Sequence, residues 1–153
     1  MLQQYDRILV AIDGSKEAEL AFKKAVQVAV RNNAALLIAN VIDTKAFQSI
    51  STFDGSMADK ASQQAKTTLE EYVRYAKNHR VKDVSYVVEY GSPKVLISKQ
   101  IPEEHNVHLI MLGATGLSAV ERIFIGSVSE YVIRNAACDV LVVRTDLENQ
   151  ATD

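Results

Sequence analysis

An open, doubly wound parallel α/β sheet is the fold class this sequence predicts, and three observations carry it. Short, nearly continuous apolar runs (RILVAI, ALLIANVI, HLIML) alternate with longer stretches whose apolar residues recur at helical spacing. Such runs lack the in-out alternation of a half-wet strand, so they suit strands covered by helices on both faces. Gly113, Gly116 and Gly126, half of the six glycines, follow one such run and precede a helical pattern. A chain of 153 residues with 48% hydrophobic content fits one compact domain, residues 1–153, since a domain of this size buries roughly 68–70% of its unfolded surface.

The elements follow in order. Arg7 to Ile12 is the first strand and Ala35 to Ile42 the second. Between them Ala18, Ala21, Phe22, Ala25, Val26 and Ala29 mark one helix face, with Ser15 placed to cap its start. A second long helix is marked by Ala58, Ala61, Ala65, Leu69, Tyr72, Val73 and Ala76, and VKDVSYVVEY reads as the third strand. In GSPKVLISKQI, Ser92 is a cap and Pro93 occupies a first-turn position, so a third helix opens there and carries Leu96, Ile97 and Ile101. The fourth strand is His108 to Leu112, VSEYVIRNAA is a short helix, and DVLVVR is the fifth strand.

Charge and composition exclude several partners. The 17 basic and 19 acidic side chains give a net charge of -2 with no Lys/Arg block, so nucleic acid is not an expected partner. No apolar stretch reaches the roughly 18 residues that span a bilayer, and MLQQYDRILV carries no basic leader region. A cytoplasmic protein without membrane contact is expected. Cys138 is the single cysteine, which rules out an internal disulfide, and it reads as a small buried residue. His79, His105 and His108 lie in polar surroundings without metal-ligand spacing.

Right-handed crossovers on this pattern give a sheet whose ligands sit beyond the carboxyl ends of the strands, where strand order reverses. The first and fourth strands are expected to flank that point, bringing IDGS and GATG face to face. Gly113 ends the fourth strand at a sharp turn, and Gly116 lets the loop approach a ligand without a Cβ in the way. Downstream, Ser127 and Glu130 have capping-box spacing, which starts a helix at about Val128. The amides of Ser127, Val128 and Ser129 would then leave a helix end suited to phosphate, with the Ser127 and Ser129 hydroxyls as further donors. Arg122, in the intervening loop, either reaches a phosphate or solvates a short turn. The polar segment Thr44–Lys60 is either a lid over the crevice or a surface loop.

The glycine segment has no lysine after Gly126, so it is not a P-loop, and it lacks the GxGxxG of a dinucleotide site. It does have G-x2-G-x9-G-S at Gly113, Gly116, Gly126 and Ser127, continuing as GSVS. With ILVAIDGS, VEYGSP and CDVLVVR in the same order, nearly the whole chain resembles the nucleotide-binding branch of the universal stress protein family. That resemblance implies a Rossmann-like, adenine nucleotide alpha hydrolase-like fold with strand order 3-2-1-4-5. It also implies ATP as ligand. Gly113 and Gly116 would admit ribose and phosphates, Gly126, Ser127, Val128 and Ser129 would hold phosphate oxygens, and Asp13 would lie beside the nucleotide. The Val41 backbone would meet the adenine edge, with Ala11, Ile12 and Leu112 completing the site.

A carboxylate such as Asp13 repels a triphosphate unless ribose hydroxyls or a cation intervene, so Mg²⁺ or Mn²⁺ is a plausible companion. Three function classes follow: an ATP-binding regulatory module of the stress response, a slow ATPase or phosphoryl-transfer enzyme, and a dimeric interaction protein that ignores the crevice. The first is the expectation, because no P-loop lysine or arginine finger is assigned and the third leaves the glycine frame unexplained. The run Val140 to Val143, apolar yet at the sheet edge, together with the family resemblance, predicts a homodimer through that strand.

Overall fold

The computed structural model describes residues 4–45, 55–114 and 125–144. Five parallel strands are β1 (Arg7–Ala11), β2 (Ala35–Asp43), β3 (Val84–Gly91), β4 (Leu109–Gly113) and β5 (Asp139–Val143), in the order β3-β2-β1-β4-β5. The predicted fold class and strand order are those observed. Side chains alternate along β1: Ile8, Val10 and Ile12 join one buried cluster and Leu9 the other, the period-2 geometry of a strand covered on both faces.

Helices α1 (Lys16–Asn32) and α2 (Gly55–Asn78) cover the first face. The α1 positions Ala18, Ala21, Phe22, Ala25, Val26 and Ala29 are all buried, as the periodicity requires. Small alanines bring its axis close to the sheet, and Phe22 fills the remaining space, edge-on to Tyr72 of α2 with ring centroids 4.6 Å apart. Ser15 caps α1 through its hydroxyl, which accepts from the Ala18 amide at 3.1 Å. The end is set by Asn33, whose left-handed φ of 52° lets its amide close on Ala29 and Val30 carbonyls. Helix α2 begins at Gly55, so the end of the predicted Thr44–Lys60 loop is helical; residues 46–54 lie outside the described residues.

The second face is covered by a helical run from Pro93 to His105 and by α5 (Ser127–Asn135). The run comprises α3 (Pro93–Val95), a π segment (Leu96–Gln100) and α4 (Ile101–His105). Pro102 accounts for the π segment. It has no N–H for the Ser98 carbonyl and its ring would strike that carbonyl in a regular helix, so the turn widens and Ile101 donates to Leu96 instead. Leu96, Ile97 and Ile101 are buried as expected. Ser92 stands at the predicted cap position but makes no side-chain cap bond; Pro93 opens the helix without an amide to satisfy. No helix among the described residues is long and apolar enough to cross a membrane.

Candidate functional site

The carboxyl ends of β1, β2 and β4 and the start of α5 enclose a cavity of about 330 Å³ at the point where strand order reverses. Its lining includes ten of the eleven residues expected from sequence: Ala11, Ile12, Asp13, Val41, Leu112, Gly113, Gly126, Ser127, Val128 and Ser129. Gly116 and Arg122 lie outside the described residues. The size falls within the ~300–1,000 Å³ range of small-molecule sites.

Strand length creates the cavity's first wall. β1 pairs with β2 only as far as Ala11 with Ala39, whereas β2 continues beside β3 to Asp43. The Ile12 amide donates to the Ala39 carbonyl at 2.8 Å, the last backbone bond across this boundary among the described residues. Val41 is two residues further on, so its N–H and C=O face the same side as those of Ala39, past the end of β1. A strand-edge peptide with no backbone partner among the described residues therefore borders the cavity. Asn40 steadies the corner, its amide donating to the Ile12 carbonyl at 2.9 Å.

The opposite wall is the α5 amino terminus. Its cap is Gly126 (φ -60°, ψ 156°), not Ser127 as the capping-box spacing predicted; Ser127 is the first helical residue, and Gly126 has no side chain with which to cap the end. With the register moved by one, Glu130 turns instead to Arg134 at 2.9 Å. The first helical bond runs from the Glu130 amide to the Gly126 carbonyl. Amides of Ser127, Val128 and Ser129 thus have no partner inside the helix and carry the positive end of its dipole. Only one of the two predicted hydroxyl donors is available there. Ser129 is 5% exposed and donates its hydroxyl to the Gly113 carbonyl at 3.3 Å, while Ser127 is exposed.

Gly113 also differs from expectation. A Cβ at this position would meet the Glu17 carbonyl oxygen at 2.4 Å and the Ala18 nitrogen at 2.9 Å. Glycine is required there by the first turn of α1 packing on the end of β4, and the same contact brings the IDGS loop to the cavity. In that loop Gly14 has φ 86°, and the Asp13 carboxylate accepts from the Ser15 amide at 2.9 Å and hydroxyl at 2.6 Å. Asp13 is therefore both a turn residue and a cavity residue.

Sequence reasoning did not single out Glu17, Asp43, Pro93 or Ile97 as lining, though all four do. The signal was present for two: Asp43 and Pro93 stand at or just past the carboxyl ends of strands, where a doubly wound sheet gathers its site. The cavity wall carries three carboxylates, Asp13, Glu17 and Asp43, and no lysine, arginine or histidine among its described residues. Burial, followed by the charges of Glu19 and Asp13, pushes the Tyr72 phenol above its usual value. Cys138 is half-buried, and burial followed by the Asp139 charge pushes its thiol up too.

Fold and crevice together define a doubly wound, Rossmann-like α/β protein with a cavity at its switch point. Residues 4–144 match the universal stress protein family, and the chain belongs to that family. A universal stress protein relative from Staphylococcus aureus strain USA300 is 50% identical over 142 residues, covering 93% of this chain and 86% of the relative. Universal stress protein UspA from Lactobacillus plantarum superposes with a TM-score of 0.80 at 29% identity, over 94% of this chain and 100% of that one. A universal stress protein solved in complex with cAMP gives a TM-score of 0.71 at 25% identity, over 93% and 98% of the two chains.

Proposed function

We propose that this chain is an ATP-binding regulatory module of the universal stress protein type, acting in the stress response through nucleotide occupancy and contacts with a second copy or another partner. The single observation that carries the reading is the pairing, across one cavity, of two backbone surfaces that have no backbone partner among the described residues. The strand edge at Val41, without a backbone partner among the described residues, offers a donor and an acceptor, which is what the edge of a planar base requires. Three amides without a partner inside the helix, at Ser127, Val128 and Ser129, offer what a phosphate requires. Apolar Ala11, Ile12, Leu112 and Ile97 supply the walls between them. A family relative that binds cAMP supports a nucleotide as the class of ligand. ATP in particular is supported by the glycine-serine frame, of which Gly113, Gly126 and Ser127 line the cavity.

Mg²⁺ or Mn²⁺ fits the carboxylate chemistry of the wall. Among the described residues no group of three or more His, Cys, Asp or Glu is arranged to hold a metal ion alone. A hard cation here would be held by Asp13, with ligand oxygens and water completing its shell, the usual habit of Mg²⁺. When bound it would neutralise phosphate charge. The protein's part is to orient Asp13, whose carboxylate is fixed by Ser15.

The proposed second copy pairs through β5. Among the described residues this strand pairs in the sheet with β4 alone, and Leu141 on it is 43% exposed. Joining two such edges across a two-fold axis satisfies backbone groups and apolar surface together. Mass spectrometry of small molecules released by denaturing freshly purified protein tests the nucleotide assignment. ATP recovered near one equivalent per chain is the expected result; protein that is empty and shows no calorimetric response to adenine nucleotides overturns it.

A further inference from the structure

Resting on the nucleotide reading above, we propose that the crevice has a second, cation-lined chamber, in which Lys45 and Lys94 receive the terminal phosphates of a polyphosphate nucleotide and set its preference over a monophosphate. A second cavity of about 290 Å³ adjoins the first. Both are lined by Asp43, Pro93, Ser127 and Val128, so a ligand seated on the α5 amides is at the threshold of either. The two chambers differ in charge. Asp13, Glu17 and Asp43 line the first without a described cation, whereas Lys45 and Lys94 line the second with Asp43 as the one described acid.

A polyphosphate tail leaving α5 thus meets repulsion on one side and attraction on the other. The lysines come from separate elements. Lys45 follows the end of β2, its amide donating to Asp43 at 3.0 Å. Lys94 sits in the first turn of α3, directly after Pro93. A cation in a helix's first turn opposes the macrodipole, and a neighbouring anion relieves that cost. Both side chains are exposed, and among the described residues neither forms an ion pair. Their ammonium groups remain available for charge-assisted bonds to phosphate.

The experiment is calorimetric titration of the full chain with ATP, ADP and AMP, in EDTA and in Mg²⁺, for the unaltered protein, the Lys45→Gln/Lys94→Gln double variant and Asp13→Asn. Preference for ATP over AMP is expected to drop roughly tenfold to a hundredfold in the double variant, the scale of losing bonds to charged groups. AMP affinity should be unchanged, which also reports that the variant is folded. An ATP preference that survives in the double variant overturns the proposal. So does a preference lost only in Asp13→Asn and only with Mg²⁺, which would put the phosphates in the acidic chamber. An unaltered protein that binds none of the three nucleotides removes the nucleotide reading itself, a result separable from both.

Discussion

A Cβ added to Gly113 would lie 2.4 Å from the carbonyl oxygen of Glu17. The end of β4 and the first turn of α1 therefore meet backbone to backbone, and this contact fixes the IDGS loop against one wall of the crevice. Gly113→Ala is expected to destabilise the fold by about 1–3 kcal/mol, the usual cost of overpacking. The atoms in the way are main chain and cannot rotate aside. Denaturant unfolding checks this, and a variant as stable as the parent would show that the α1 turn yields freely.

Ser127 separates helix stability from ligand binding. Because it is the first residue of α5 and exposed, Ser127→Glu adds a negative charge that the helix dipole favours by about 0.3–1 kcal/mol. The same charge competes with a phosphate for the free amides. Thermal melting should show an unchanged or slightly raised midpoint, while ATP affinity measured by calorimetry falls by roughly tenfold or more. Full affinity in this variant would move the phosphate site away from α5.

Assembly is read from Leu141. The side chain is 43% exposed on the edge strand, so Leu141→Lys should leave the isolated chain folded and place like charges across a two-fold axis. Light scattering is expected to find the parent dimeric and the variant monomeric at micromolar concentration, with ATP binding retained. A monomeric parent would remove the edge-pairing proposal.

Hydrolysis, where it occurs, is expected to run well below the ~1–100 s⁻¹ of kinases. Asp13 is held by Ser15 in a turn, and in the proposed binding mode the phosphate-facing groups would be backbone amides and lysines; neither would orient a water molecule for in-line attack. Asp13→Asn retains the oxygen that Ser15 bonds and removes only the charge. A phosphate-release assay should find slow turnover in the parent and a weaker dependence on Mg²⁺ or Mn²⁺ in the variant. Turnover in the kinase range, lost in Asp13→Asn, would make the enzyme reading the better one.

Local patterns determined the architecture. The buried α1 face from Ala18 to Ala29, the unbroken apolar strands and the crevice position at the ends of β1 and β4 were legible because periodicity and burial are properties of neighbouring residues. Even there, Ser127 and Glu130 matched a capping box that α5 does not form: Gly126 takes the extended cap conformation and shifts the register by one. What only the tertiary structure decided are relationships between distant residues. Gly113 is constrained by Glu17, the Ser129 hydroxyl is drawn to the Gly113 carbonyl, and the acids and lysines around Asp43 are sorted into two chambers. Each depends on where packed helices bring side chains and backbone within a few ångströms, and sequence spacing carries no such information across a crossover.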